Sequence, residues 1–257
     1  MRFRPPDIEP LEVWDLAVAG ETLFASRERE DFCQRLAEAV ELIATRHPRG
    51  AEIDQVFACG GGSVRPELRS ALARSGRIVE ISPLGQFACE PAGFHLLNGR
   101  FGLVVDAGQS ALKLFWPGGR LLFPRDFDAL PIAGPSALRP KVHEFMAAAI
   151  REASNRAVRP FELVVLALPS EIDDDLHLAG SSYPGMADDR DLVDDVLRRA
   201  KLDLTSIVLN DAELAAMTAG LVMSRRCPTL VLTIGFGVGA ALLLPGRALK
   251  ASSRGAP

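Results

Sequence analysis

The chain has 257 residues, enough for one large domain or two lobes of ordinary size, and 48% of them are hydrophobic while 24% are charged. That balance excludes a disordered or fibrous protein. With 29 basic against 33 acidic side chains the net charge is −4, which gives no electrostatic basis for wrapping a nucleic acid or an anionic membrane.

The four cysteines, Cys33, Cys59, Cys89 and Cys227, lie far apart and form no closely spaced zinc or redox pair. A reduced protein is expected. Met1 to Pro6 lacks the apolar centre of a signal peptide, and the apolar stretches are broken by glycine or charge before membrane length, so a cytoplasmic protein without a membrane partner is expected.

After a proline-rich start (Pro5, Pro6, Pro10), Glu28 to Arg46 carries Phe32, Leu36, Ala39, Val40 and Ile43 at helical spacing. Ile53 to Cys59 reads as a buried strand closed by Gly60-Gly61-Gly62, and Pro66 to Ser75 as a helix. A strand over Ile78 to Ile81 and a short helix over Cys89 to Leu97, stopped by Asn98-Gly99, follow. Phe101 to Val105, Ala111 to Phe115 and Arg120 to Phe123 predict a three-stranded antiparallel meander. Lys141 to Asn155 predicts a helix, Leu163 to Leu168 a strand, and Asp188 to Lys201 a charged helix striped by Leu192, Val196 and Leu197. Ser206 to Leu209 is a strand and Asp211 to Met223 a helix; Thr229 to Ile234 and Ala240 to Leu244 flank a glycine-spaced hairpin turn. Strands alternating with helices in this way imply an α/β fold with mixed sheets.

Four segments could carry chemistry. In Asp106-Ala-Gly108-Gln109-Ser110-Ala-Leu-Lys113, the glycine lets backbone amides approach a phosphate, Ser110 and Lys113 add a hydroxyl and a cation, and Asp106 can hold a metal through water. An ordinary Asp-Gly hairpin would read the same. In Thr233-Ile-Gly235-Phe-Gly237-Val-Gly239, alternate glycines clear one face of a turn, as a second phosphate loop would need and as a sheet crossing also can. Gly60, Gly61, Gly62 and Ser63 join a buried strand to a helix N-terminus, which suits a flat or anionic ligand and equally a plain tight turn. Asn210-Asp211 follows a strand and opens an alanine-rich helix, so Asp211 is either a helix cap or a general base for a hydroxyl attacking a phosphoryl group.

Together these segments resemble the ROK family of sugar kinases and related repressors, within the actin, heat-shock chaperone and hexokinase superfamily. Residues 101 to 115 look like its phosphate 1 segment, and 233 to 241 like its phosphate 2 segment. Residues 163 to 220 look like the stretch running from Ala167-Leu-Pro169 through Tyr183-Pro-Gly-Met186 to Asn210-Asp211-Ala212. The adenosine segment, which lies near the C-terminus in that family, here resembles Val56 to Leu72, ahead of phosphate 1. The resemblance therefore implies a two-lobed actin-like ATPase (ribonuclease H-like) fold in circularly permuted order. Residues 1–98 with 212–257 would form the adenosine and phosphate 2 lobe, and 99–211 the phosphate 1 and substrate lobe.

The same resemblance implies ATP and magnesium as cofactors and a sugar or sugar-like small molecule as substrate. The phosphates would lie on 106–113 and 235–239 and the adenosine on 60–63. Asp211 would be the catalytic base, Asn210 would orient the substrate hydroxyl, and Asp106 would position the metal. Homo-oligomers are common in that family. The chain departs from the pattern in three places: it has no Glu-x-Gly-His sugar clamp, no cysteine-rich zinc loop, and Gly108-Gln109-Ser110 where Gly-Gly-Thr is usual. A nucleotide-binding regulatory module or slow ATPase is thus the alternative function. A DNA-binding repressor is disfavoured by the acidic charge. The acidic run Asp188, Asp189, Asp191, Asp194 and Asp195 is expected to be a solvated helix start and face, and His177 a loop residue. No histidine falls in a matched motif.

Overall fold

A computed structural model describes residues 1–5, 7–11, 32–46, 48, 52–74, 76–131, 135–181, 183, 186, 189–223, 228–235 and 238–245. The first part of the chain runs β1 (Ile8–Leu11), α1 (Phe32–Arg46), β2 (Gln55–Cys59), α2 (Pro66–Ala73), β3 (Ile78–Ile81) and α3 (Glu90–Leu97). The middle holds β4 (Gly102–Ala107), β5 (Ala111–Trp116), β6 (Gly119–Pro124), α4 (Arg139–Arg156), β7 (Leu163–Leu168), β8 (Ser170–Ile172) and β9 (Leu178–Ser181). The last part holds α5 (Leu192–Arg199), β10 (Thr205–Asn210), α6 (Asp211–Val222), β11 (Thr229–Ile234) and β12 (Val238–Leu243). The fold is α/β, with two mixed sheets and flanking helices.

The chain divides into two compact units, Met1–Arg4 with Cys89–Leu214 and Pro5–Ala88 with Ala215–Pro257. The sequence boundaries at 98 and 211 differ from these for identifiable reasons. Met1 to Phe3 lies beside β10, where the Phe3 amide donates to the Val208 carbonyl at 2.8 Å and the Val208 amide to that of Met1 at 3.0 Å. Residues 89–98 join the same unit because α3 packs on β4 and β5.

In the first unit the sheet order is β10-β7-β4-β5-β6. β4, β7 and β10 are parallel, while β5 and β6 extend the sheet antiparallel from β4. β4 and β7 are buried at every residue, as central strands covered on both faces must be. One face, with Leu103, Val105, Leu112 and Leu114, shares a core with Val142, Met146, Ile150 and Ala153 of α4. On the other face Gly93 of α3 lies against Val104 and Phe115, and Phe94 meets the Phe115 ring edge-on at 5.7 Å. A Cβ at Gly93 would come within 2.6 Å of the Phe115 ring and 2.9 Å of the Val104 methyls. Gly93→Ala should therefore destabilise the protein by about 1–3 kcal/mol, read as a lower midpoint in chemical denaturation with an unchanged slope.

In the second unit the order is β1-β12-β11-β2-β3, with β11, β2 and β3 parallel and β12 and β1 antiparallel. Leu36 and Val40 of α1 and Leu68 and Leu72 of α2 share its core with Val56, Ala58, Leu230, Leu232 and Leu242. The two sheets thus have one plan: a three-stranded antiparallel meander followed by two parallel strands. In the second unit the meander's outer strand, β1, comes first in the chain, while its other two strands come last.

The helix stop at Asn98-Gly99 forms as expected, with left-handed φ values of 49° and 79°. Strand β1 was not expected, because Pro10 argues against a ladder; it forms at the sheet edge, where a missing backbone donor is tolerated. The hairpin β8–β9 was also missed, although His177, in the connection between its strands, was read as a loop residue. Cys33, Cys59 and Cys89 are buried and form no disulfide among the described residues, and Cys227 lies outside them. Among the described residues no helix is long and apolar enough to cross a membrane.

Candidate functional site

The parallel strands β4, β7 and β10 all end at one edge of the first unit's sheet, the edge where α/β folds commonly bind ligands. Asp106 is the last residue but one of β4, and Asn210 closes β10. Asp106 and Lys113 are direct partners across the β4–β5 ladder, which puts both side chains on one face, and Lys113 Nζ donates to Asp106 Oδ2 at 2.9 Å. Asp106 is 4% exposed. Burial opposes the charge on Lys113, but Asp106, with smaller contributions from Cys89 and Asp211, holds its pKa above the ordinary lysine value.

Capping, one of the two roles that sequence left open for Asp211, falls to its neighbour. Asn210 is the cap: its Oδ1 accepts from the Ala212 amide at 2.8 Å, and its own amide donates to Glu213 Oε2 at 2.8 Å. This reciprocal pair is a capping box. Asn210 Nδ2 also donates to the Ser170 carbonyl at 2.8 Å, so the residue expected to orient substrate is anchored to the protein at both ends of its amide. Asp211, relieved of capping, is pushed up to a pKa of about 7 by burial and by the Asp106 carboxylate, with Lys113 and the Asp211 and Ala212 amides pulling the other way. A carboxyl group poised there can accept a proton near neutral pH.

The box has a further support that the sequence did not suggest. Arg2 donates to Glu213 Oε1 at 2.8 Å, in a pair whose side chains are 8% and 3% exposed, and to the Ile172 carbonyl at 3.1 Å.

Gly108, Gln109 and Ser110 form the turn between β4 and β5. Their three carbonyls all face protein donors: Tyr183 Oη donates to Gly108, Arg125 Nη1 to Gln109 at 3.2 Å, and the Arg125 amide to Ser110 at 3.0 Å. No peptide bond among the described residues is cis, so the N–H of Gln109 and that of Ser110, each sharing a peptide with one of these carbonyls, point the opposite way. Neither amide meets an acceptor among the described residues. Such an amide edge, flanked by the cations of Lys113 and Arg125, suits an anion. Gly108 is needed for close packing, since a Cβ there would lie 3.0 Å from the Ala111 carbonyl and 3.3 Å from Lys113 Nζ. Gln109 Oε1 is buried without a partner.

Asp106 can supply the one carboxylate that magnesium takes when phosphate oxygens complete most of its shell. Among the described residues there is no group of three acidic, histidine or cysteine side chains that would hold a metal alone.

The remaining predicted residues belong to the second unit. Gly60 and Gly62 lie against the end of β11, where the Gly62 amide donates to the Ile234 carbonyl at 2.7 Å. A Cβ at Gly60, whose φ is 90°, would sit 2.6 Å from that carbonyl, while Gly61 and Gly235 face open space. The Ser63 hydroxyl turns inward to the Gly60 carbonyl at 2.7 Å, closing the turn on itself. Thr233 and Gly239 are ladder partners, and Gly237 lies outside the described residues. The structure thus gathers Asp106, Gly108, Gln109, Ser110, Lys113, Asn210 and Asp211 in one unit and the glycines around 60–63 and 233–239 in the other.

In the acidic run Asp191 and Asp194 are exposed as expected and Asp188 lies outside the described residues, but two members depart from expectation. Asp189 is fully buried and Asp195 9% exposed, and they flank His143, whose Nε2 and Nδ1 lie 2.7 Å from Asp189 Oδ2 and Asp195 Oδ2. An open cavity of about 420 Å³ borders this cluster, lined also by Arg139, Arg198 and Arg199, whose charges pair with the same carboxylates. Its opposite charges already satisfy one another, so it has less to offer a ligand than the amide edge of the turn.

No protein-family model matches the chain, and no curated protein matches it.

Proposed function

We propose that the chain binds ATP with magnesium and transfers the γ-phosphoryl group to a hydroxyl of a sugar or sugar-like small molecule. The observation that carries this reading is the turn at 108–110, whose outward amides and flanking cations share a sheet edge with a carboxyl group poised near neutrality. On this reading Gln109, Ser110 and Lys113 hold phosphate oxygens. Asp211 takes the proton of the substrate hydroxyl as that oxygen bonds to the γ-phosphorus, and the bond from that phosphorus to the bridging oxygen of ADP breaks. Magnesium, when bound beside Asp106, would neutralise charge building on the phosphates.

The sheet order supports the resemblance to the actin-like superfamily. Each unit carries the meander-plus-parallel plan expected of a ribonuclease H-like lobe, and β1 standing first in its unit fits a permuted order. Calorimetric titration with MgATP should show one site per chain, and radiolabelled ATP offered with a panel of sugars should label one of them. Absence of any heat at millimolar MgATP would refute the nucleotide reading.

The Asp106–Lys113 ion pair favours a second reading, a nucleotide-binding module without transfer, because the lysine engages the carboxylate that magnesium needs. MgATP binding with no labelled acceptor in the panel would select it.

A further inference from the structure

We infer that Tyr183 and Arg125 are positioning residues that fix the turn at 108–110 from its carbonyl side and thereby set its affinity for phosphate; this rests on the phosphate reading of that turn. An anion on the outward amides needs the peptide units already turned toward it, since reorienting them on binding would be paid from affinity. Three consecutive carbonyls held by donors from outside the turn supply that preorganisation: side chains hold those of Gly108 and Gln109, and the Arg125 backbone amide holds that of Ser110.

Arg125 stands just after β6 and is 5% exposed. Its guanidinium spans the Gln109 carbonyl and those of Leu130 at 2.8 Å and Pro131 at 2.6 Å, which ties the turn to the loop after β6. Tyr183, 2% exposed, lies beyond β9 and reaches Gly108 through its hydroxyl. The two clamp each other as well, with the guanidinium carbon 4.1 Å from the centre of the Tyr183 ring. Burial, only partly offset by Arg125, pushes the phenol above its ordinary pKa, so it remains a donor at physiological pH. Arg125 has a second effect: it places a cation behind the amides, so the peptide dipoles and the charge act in the same direction on a bound phosphate.

The test uses the full chain with Tyr183→Phe, which removes one oxygen, and Arg125→Lys, which keeps the charge but cannot span three carbonyls. Backbone order parameters of Gln109 and Ser110, measured without nucleotide, should fall from about 0.85 in the wild type to below about 0.6 in each variant. MgATP affinity by calorimetry should fall about tenfold in Tyr183→Phe and further in Arg125→Lys. Because Tyr183→Phe leaves packing nearly intact, its result stands even if Arg125→Lys fails to fold. A wild type that binds MgATP no more tightly than Tyr183→Phe, or order parameters that do not change, overturns the inference alone. A wild type that takes up no MgATP overturns the phosphate reading, and the inference with it.

Discussion

Asp211→Asn is expected to lower phosphoryl transfer by about 100- to 10,000-fold while leaving MgATP affinity within about twofold, because only the proton acceptor is removed. The wild-type rate should also fall below about pH 7, as the carboxyl group takes up its proton, and that acid limb should be missing from the residual rate of the variant. Stability should move the other way. The folded carboxyl keeps its proton up to about pH 7, whereas the unfolded one releases it near the ordinary aspartate value. Between those values the folded state binds more protons, so wild-type stability falls as pH rises through the window. Asp211→Asn removes the burden and should gain on the order of 2–4 kcal/mol at pH 8, with little difference at pH 4. Slower turnover with greater stability is what a residue kept for chemistry would give. Unchanged turnover, or a persistent acid limb, would remove Asp211 from the base role.

The largest expected loss of stability comes from His143→Ala. The ring bridges two buried carboxylates, and its removal leaves Asp189 with the longer 3.4 Å contact to Arg139 and Asp195 with its two arginines. Breaking a buried ion pair from one side costs about 3–5 kcal/mol; the remaining arginines place this case near the lower end. The pH dependence should change as well. Burial works against the Asp195 charge, but hydrogen bonds from His143 and Arg199 hold its carboxyl at about 2. A group lowered in this way stabilises the fold above its unfolded value, and the contribution is lost as pH falls from about 4 to about 2. Acid titration of unfolding free energy should therefore be steeper in the wild type than in His143→Ala over that interval. Equal slopes would show that the arginines alone hold Asp195.

The sequence revealed those features whose causes are local. Fully apolar Leu163 to Leu168 and Thr229 to Ile234 are strands as read, and Asn98-Gly99 stops its helix through left-handed backbone. Asn210-Asp211 was recognised as a strand-to-helix junction with two competing roles. Seeing that Asn210 rather than Asp211 is the cap required Glu213 to close the capping box, a pairing that Asp211 beside it obscured in the linear pattern. What remained hidden depends on contacts far apart in sequence. Arg2 meets Glu213 across 211 positions, Tyr183 meets Gly108 across 75, and His143 meets Asp195 across 52. A run of aspartates reads as a solvated face unless the cations opposite are known, and those of α4 became visible only with the helices packed.

The second unit's sheet also constrains how the protein is made. β2 and β3 emerge from the ribosome early, yet the strand that pairs with β2 on its other side, β11, begins at Thr229. Most of the first unit lies between them and can complete its own sheet in the meantime, through ladders that close within residues 102–210. The growing chain therefore holds an unfinished edge of β2 until β11 has been made, and pairing across that long interval is entropically slow. Nascent chains stalled before Thr229 should thus be the stage at which a chaperone is most needed, with one half already folded and the other still waiting for its last two strands.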